Sequence, residues 1–465
     1  MRGRLFPPGR ALPGQGWIPR RADVRALVRL AAPVVTIQVG LMLMGVVDTI
    51  MVGHVSPQDL AAVAMGNLYF FLVAVFGMGV LMALDPLVAQ AVGAGDEPAV
   101  GRSLQRGVLL SLVLGLMAAT LLLLAGPVLT LLRQPAEVVP IAAGYAYATM
   151  AGTTPFFLFV AFRQTLQAMA RLRPIVVTIV AANVLNLILN WVLVYGNLGA
   201  PAMGAVGSGW ASSGSRVLMA LMLPALAWPV LKPHLRPFRR EVLEWRPMMR
   251  MVRLGAPIGM QFQLEFGAFG AVGILMGWMG TVPMAGHQVA INLASLTFMV
   301  PMGVSAAASV LVGHAVGRQD PVGARRGSAG ALLLGTGFMT LTAALFILFP
   351  GPLAGLYTGD VGVLAVATTL LPIAGFFQIV DGLQAVAGGI LRGLGDTRTP
   401  MLANILGFWV AGIPLGLVLA FPGAGGPAGL WWGLSLGLGL VAGLLLWRVK
   451  VGMRRPLQRV VLEGA

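Results

Sequence analysis

The sequence predicts an all-α integral membrane protein of twelve transmembrane helices, in two parallel six-helix repeats that form two lobes around a central cleft. Three observations predict it. Of 465 residues, 58% are hydrophobic and only 10% charged, where a soluble protein carries about 25%. Apolar runs of roughly 20 residues recur along the whole length, each long enough to cross a bilayer as a helix. The first half of the chain echoes the second. The runs are continuous rather than alternating, which argues against strands; helices and closed barrels alone satisfy their backbone in lipid.

The apolar segments lie at 31–53, 60–91, 107–126, 138–161, 174–195, 206–230, 254–279, 284–312, 328–350, 362–390, 400–421 and 428–447. The second, eighth and tenth are long for one crossing and are expected to tilt or to end outside the hydrocarbon. Basic residues set the orientation. With the N-terminus inside, the cytoplasmic loops and both tails hold every one of the 31 Lys and Arg residues except Arg133 and Arg216. That asymmetry follows the positive-inside rule and places both termini in the cytoplasm of a cell inner (plasma) membrane protein. It also explains the net charge of +16 as topology and contact with anionic lipid, not nucleic-acid binding. Residues 1–28 are basic and lack an apolar core, so they read as a cytoplasmic tail and not a cleaved leader. The chain has no cysteine, which excludes disulfides and thiolate metal sites.

The repeat has an offset of about 224 residues. Arg29-Leu-Ala-Ala-Pro33 matches Arg253-Leu-Gly-Ala-Pro257, and Val92-Gly-Ala-Gly-Asp96 matches Val316-Gly-Arg-Gln-Asp320. Ala170-Arg-Leu-Arg-Pro174 is weakly echoed by the stretch ending Arg398-Thr-Pro400. Six spans per copy keep both copies in one orientation, so the repeats should be parallel. The expected organisation is a tail at 1–28, a lobe at 29–230, a polar cytoplasmic linker at 231–253, a lobe at 254–447 and a tail at 448–465.

Acids inside these spans carry the functional argument, because a charge in hydrocarbon is expensive and is usually kept for an ion or substrate. Asp48 lies just below the outer end of the first span. Asn186 and Asn190 lie near the outer end of the fifth, one turn apart on one face. Arg216 lies about three turns into the sixth and either pairs with Asp48 or snorkels outward. An acid with two amides is an oxygen-rich set suited to a hard cation or a proton; the plainer reading is a structural network between helices. Glu265 and Asp381, from the seventh and tenth spans, fall nearer mid-membrane, with no basic residue mapped to that lobe's interior. They should hold a cation or a proton, exchangeable for a cationic substrate. Asp85, before Pro86 at the inner end of the second span, is a weaker candidate that could simply reach the interface. His54, His234, His287 and His314 lack metal-ligand spacing and are expected mostly at helix ends, and Gly433, Gly437, Gly439 and Gly443 read as packing. No phosphate-binding loop, zinc motif or nucleophile elbow appears.

Val46-Val-Asp48-Thr-Ile-Met-Val-Gly-His54 resembles the multidrug and toxic compound extrusion (MATE) family, and the likeness runs through essentially the whole chain. It continues at Pro86-Leu-Val-Ala-Gln90-Ala-Val-Gly93, at Asn183-Val-Leu-Asn186-Leu-Ile-Leu-Asn190 with Tyr195-Gly196 and the glycines at 199, 204, 207 and 209, at Gly286-His-Gln-Val-Ala290, and from Asp381 through Asp396-Thr-Arg398. Glu265 and Asp381 beside Asp48 resemble the NorM-like branch. The resemblance implies a twelve-helix antiporter that exports drugs and dyes, often cationic ones. It implies that Asp48, Glu265 and Asp381 are the acids of cation coupling, with Asn186 and Asn190 as polar partners. Asp85 departs from the pattern, which has an apolar or small polar residue there.

The expected function is therefore secondary active efflux of amphiphilic, often cationic compounds in exchange for Na⁺ or H⁺ by alternating access. Na⁺ is a candidate ligand at Asp48, Glu265 and Asp381. No cofactor beyond the coupling ion, no enzymatic activity and no obligatory protein partner is expected. A flippase or exporter of a lipid-linked or amphiphilic metabolite is the alternative transport reading.

Overall fold

A computed structural model describes residues 17–421 and 425–463. Arg2, Arg4 and Arg10 of the N-terminal tail, and the last two residues of the C-terminal one, lie outside the described residues. Among the described residues the chain is helical and has no strand. The first half comprises α1 (Arg21–Gly53), α2 (Pro57–Leu81), α3 (Leu84–Ala94), α4 (Glu97–Leu122), α5 (Ala125–Leu131), α6 (Val139–Ala168), α7 (Arg173–Leu193), α8 (Gly204–Leu226) and α9 (Trp228–Leu235). The second half comprises α10 (Trp245–Trp278), α11 (Thr281–Gly317), α12 (Pro321–Leu348), α13 (Pro350–Gly355), α14 (Val361–Leu394), α15 (Arg398–Asn404), α16 (Ile413–Ala420) and α17 (Gly426–Gly452). Among the described residues, eleven helices are long and apolar enough to cross a membrane, and the bent pair α8–α9 brings the number to 12.

The caps follow from sequence. Ser56 accepts from the Asp59 N–H ahead of α2, and Asp96 from the Ala99 N–H ahead of α4. In the second half Asp320 caps α12 and Asp360 caps α14 in the same way. Each satisfies a helix-start donor that would otherwise lack a partner.

Three segments differ from the expected straight spans. The second is interrupted at Met82–Ala83, between α2 and α3. Pro86 is the cause, because it has no N–H to give the Met82 carbonyl. The sixth ends at Leu226, where the chain bends by 86° into α9; prolines at 224 and 229 bracket the bend. The eleventh passes through a π-helical stretch, Ile405–Gly412, between α15 and α16.

Contacts divide the chain into two compact units. One comprises Thr36–Val92, Asp96–Gly259 and the C-terminal residues from Leu462. In it α6 packs on α8, α4 and α2, and α7 on α8. The other comprises the described residues up to Val35, Gly93–Gly95 and Met260–Val461, built on α14 with α11, α12 and α17. These limits differ from the 29–230 and 254–447 repeats. The start of α1 goes with the second unit, and the 231–253 linker goes with the first. Both changes of membership inside long helices fall two residues past a proline, Pro33 in α1 and Pro257 in α10. A proline breaks the intrahelical ladder there.

Candidate functional site

Each unit holds a carboxylate cluster among its helices. In the first, Asp48 comes from the C-terminal part of α1 and is only 4% exposed. Asn186 and Asn190 of α7 both donate to its Oδ1, at 3.1 and 2.7 Å. Ser212 of α8 donates to Oδ2 at 2.7 Å. The pairing of Asp48 with the two asparagines is as the sequence indicates, because residues four apart share a helix face. Ser212 was not anticipated. Its signal was a small polar residue, one turn before Arg216, in a glycine-rich span.

Arg216 does neither of the two things expected of it. It makes no ion pair with Asp48 and does not snorkel. Its guanidinium lies 3.8 Å from the Phe70 ring centroid and 5.4 Å from that of Phe156, and the residue is 8% exposed. Stacking on two rings gives a desolvated guanidinium a partner without a carboxylate.

The second cluster lies in the other unit. The Gln384 amide of α14 donates to Glu265 Oε1 and to Asp381 Oδ1, 3.3 Å each, and so bridges the two acids. Asn404, the last residue of α15, reaches Glu265 Oε2 at 3.5 Å. Beside Asp381, one turn back on α14, the Gln378 side-chain Oε1 accepts from Thr297 at 3.0 Å and Thr342 at 2.8 Å. The π-helical stretch that follows Asn404 carries Trp409, whose indole donates to the Leu264 carbonyl at 3.1 Å, next to Glu265. Such widened turns are common at functional sites. Gln384 and Asn404 also went unanticipated, although amides within apolar helices are a recognisable signal.

The expectation of no basic residue inside this lobe is corrected. Arg392, placed in a loop by the sequence, lies within α14, is 6% exposed and donates to Ser305 at 3.0 Å. It stands about 16 Å along the helix from Asp381, eleven residues at 1.5 Å each. No Lys, Arg or His lies within 4.0 Å of Asp48, Glu265 or Asp381 among the described residues.

The donor set fits a monovalent cation. The side-chain carbonyl oxygens of Asn186, Asn190, Gln384 and Asn404 are buried and accept no hydrogen bond. Each stands beside a carboxylate that its own amide nitrogen contacts. Carboxylate and amide oxygens are hard ligands that match Na⁺, and the carboxylates alone match H⁺.

A family model described as MatE matches residues 33–192 and again 257–418. The chain belongs to the MatE family. The two matched stretches start 224 residues apart, which is the offset of the internal repeat. Multidrug resistance protein NorM of Burkholderia vietnamiensis is 38% identical over 433 residues, covering 90% of this chain and 92% of that protein. Multidrug resistance protein PmpM of Pseudomonas aeruginosa is 34% identical over 455 residues, covering 96% and 95%. The crystal structure of the eukaryotic MATE transporter AtDTX14 shares the fold, with a TM-score of 0.85 at 21% identity over 93% of this chain and 97% of that one.

In this MatE protein Asp85 is fully buried. Gln164 of α6 contacts its Oδ2 at 3.5 Å, and the neighbouring Arg163 donates to Gln38 at 3.1 Å. Asp85 therefore sits in an internal polar group beside the break between α2 and α3, and not in either cluster. The histidines divide. His54 lies at the end of α1, His314 near the end of α11, and His234 in α9. His287 is buried inside α11, where Trp431 donates to its Nδ1 at 3.2 Å. No group of three His, Cys, Asp or Glu residues is placed to hold a metal ion among the described residues.

Proposed function

We propose that this MatE protein is a multidrug efflux antiporter that exchanges amphiphilic, often cationic compounds for Na⁺ or H⁺ by alternating access. The family and the multidrug resistance relatives support efflux of small molecules. The observation that carries the coupling is the pair of clusters, in which the buried Asp48 and Asp381 and the half-buried Glu265 are met by amides and a hydroxyl and have no protein cation within salt-bridge reach. An acid among apolar helices with no cation paired to it is costly, so a visiting cation or proton is the natural counter-charge.

In the outward-open state a cation enters and neutralises a carboxylate. Its hold on a cationic substrate weakens, and the substrate leaves. The loaded protein turns inward and discharges the ion. One charge moved down 100 mV supplies about 2.3 kcal/mol, roughly a fiftyfold concentration ratio. The excess of basic residues in alternate loops and both tails supports an inner-membrane protein with both termini cytoplasmic.

Ethidium efflux from reconstituted vesicles, under separately imposed Na⁺ and proton gradients, tests this reading. Glu265→Gln and Asp381→Asn should each abolish gradient-driven efflux while leaving folding and insertion intact. Normal efflux from both variants would end the coupling role assigned to this cluster.

A further inference from the structure

The start of α1 and the flank of α12 enclose an open groove of about 550 Å³. Arg21, Arg25 and Arg29 line it together with Val24, Val28 and Leu333, and Pro19 borders one end. The arginines are four residues apart, so they form one inclined row on the helix. All three are exposed. None makes an ion pair or a hydrogen bond through its side chain to a described residue.

Several other interfacial arginines do have acceptors in the fold. Arg102 and Arg106 hold Glu463, and Arg239 holds the Pro98 carbonyl. Arg325 holds the Met453 carbonyl, and Arg448 holds Asp396. Three like charges in one row repel each other, and a shared anion relieves that repulsion. The floor beneath them is apolar, with Val28 43% and Leu333 64% exposed.

Depth supplies the rest. At 33 residues α1 is about 50 Å long, against a hydrocarbon core of about 30 Å. Its first turns therefore stand in the headgroup layer, ahead of the apolar run that begins at Leu30. The ligand must be anionic at one end and apolar along the other.

We infer that this groove binds an anionic phospholipid. The phosphodiester lies across the Arg21–Arg25–Arg29 row, whose planar forks match phosphate oxygens. One acyl chain lies along Val24, Val28 and Leu333. Basic pockets beside transmembrane helices hold anionic headgroups in this manner.

The test uses the full chain in detergent micelles. Native mass spectrometry and thermal unfolding are followed during titration with phosphatidylglycerol, phosphatidylcholine or inorganic phosphate at matched ionic strength. Phosphatidylglycerol should be retained and raise the melting temperature, and the other two should do neither. The R21Q/R25Q/R29Q triple variant should hold phosphatidylglycerol on the order of a hundredfold more weakly, at about 1 kcal/mol per arginine. Arginine loss could disturb insertion, so Leu333→Trp provides a second arm that fills the floor and leaves every charge in place; it should also release the lipid. Retention unchanged in the Leu333→Trp variant, or equal retention of phosphatidylcholine, overturns the inference. Stabilisation by phosphate alone overturns the assignment to a lipid.

Discussion

At the residue scale the two clusters are built alike. An acid is met by amide nitrogens whose own carbonyl oxygens are left for a ligand. Hydrogen bonds to a charged group contribute about 1.5–3 kcal/mol each. Ser212→Ala removes a donor that favours the charged carboxylate, so it should shift by roughly tenfold or more the Na⁺ or proton concentration giving half-maximal efflux. Asp48→Asn should abolish gradient-driven efflux with membrane insertion unchanged. If Asp48→Asn exports ethidium at the parental rate, the Asp48 cluster is a structural network and nothing more. Asp48, Asn186 and Asn190 were legible because one acid in an apolar run and two asparagines at helical spacing are visible in the chain itself. Ser212 and Asn404 were not, since each meets its acid from a helix distant in sequence, and Gln384, though one turn from Asp381, matters because it also reaches Glu265 from another helix. Arg392 misled for a related reason: a loop and the last turns of a long helix look the same until the helix end is known.

At the element scale, irregularities sit beside the sites. The break between α2 and α3 adjoins Asp85, and the π-helical stretch follows Asn404. The glycine run of α17 divides by the same geometry. Gly433 and Gly437 lie against the backbone of Gly416 and Gly412, while Gly439 and Gly443 face open space. Gly433→Ala should therefore destabilise by about 1–3 kcal/mol through overpacking, and Gly439→Ala should be near neutral or slightly stabilising. Thermal unfolding of the two variants side by side checks this; equal melting temperatures would contradict the packing described. Helix existence was readable from apolar run length alone. The π stretch was not, because it depends on how α15 and α16 meet α17.

At the scale of the whole molecule, charge placement and one ion-pair group make predictions. Reporters fused after Glu463 and inserted at Arg133 should label from opposite sides of the membrane; labelling from the same side contradicts the twelve-span topology. Glu463 pairs with Arg102 at 2.9 Å and with the fully buried Arg106 at 2.6 Å, while Arg250 donates to the Leu462 carbonyl at 2.9 Å. Burial pushes the Glu463 carboxyl up, but hydrogen bonds from Arg106 and Arg102 outweigh it and hold it below the usual carboxylate range. A depressed acid stabilises the fold fully above its unfolded value and loses that contribution as pH falls through its folded one. Glu463→Gln should thus lower the melting temperature by a few degrees at pH 7, and the difference from the parent should vanish in strong acid. A constant difference down to pH 3 would show that the pair is not the cause.

The chain alone determined the fold class, the number of crossings, the repeat and the identity of the acids, because apolar run length, charge asymmetry and the cost of a charge in lipid are local properties. Which neutral groups surround those acids, which arginines have partners and where helices break were decided by tertiary structure. Those outcomes depend on side chains from distant helices arriving at one depth, and no local pattern encodes that meeting.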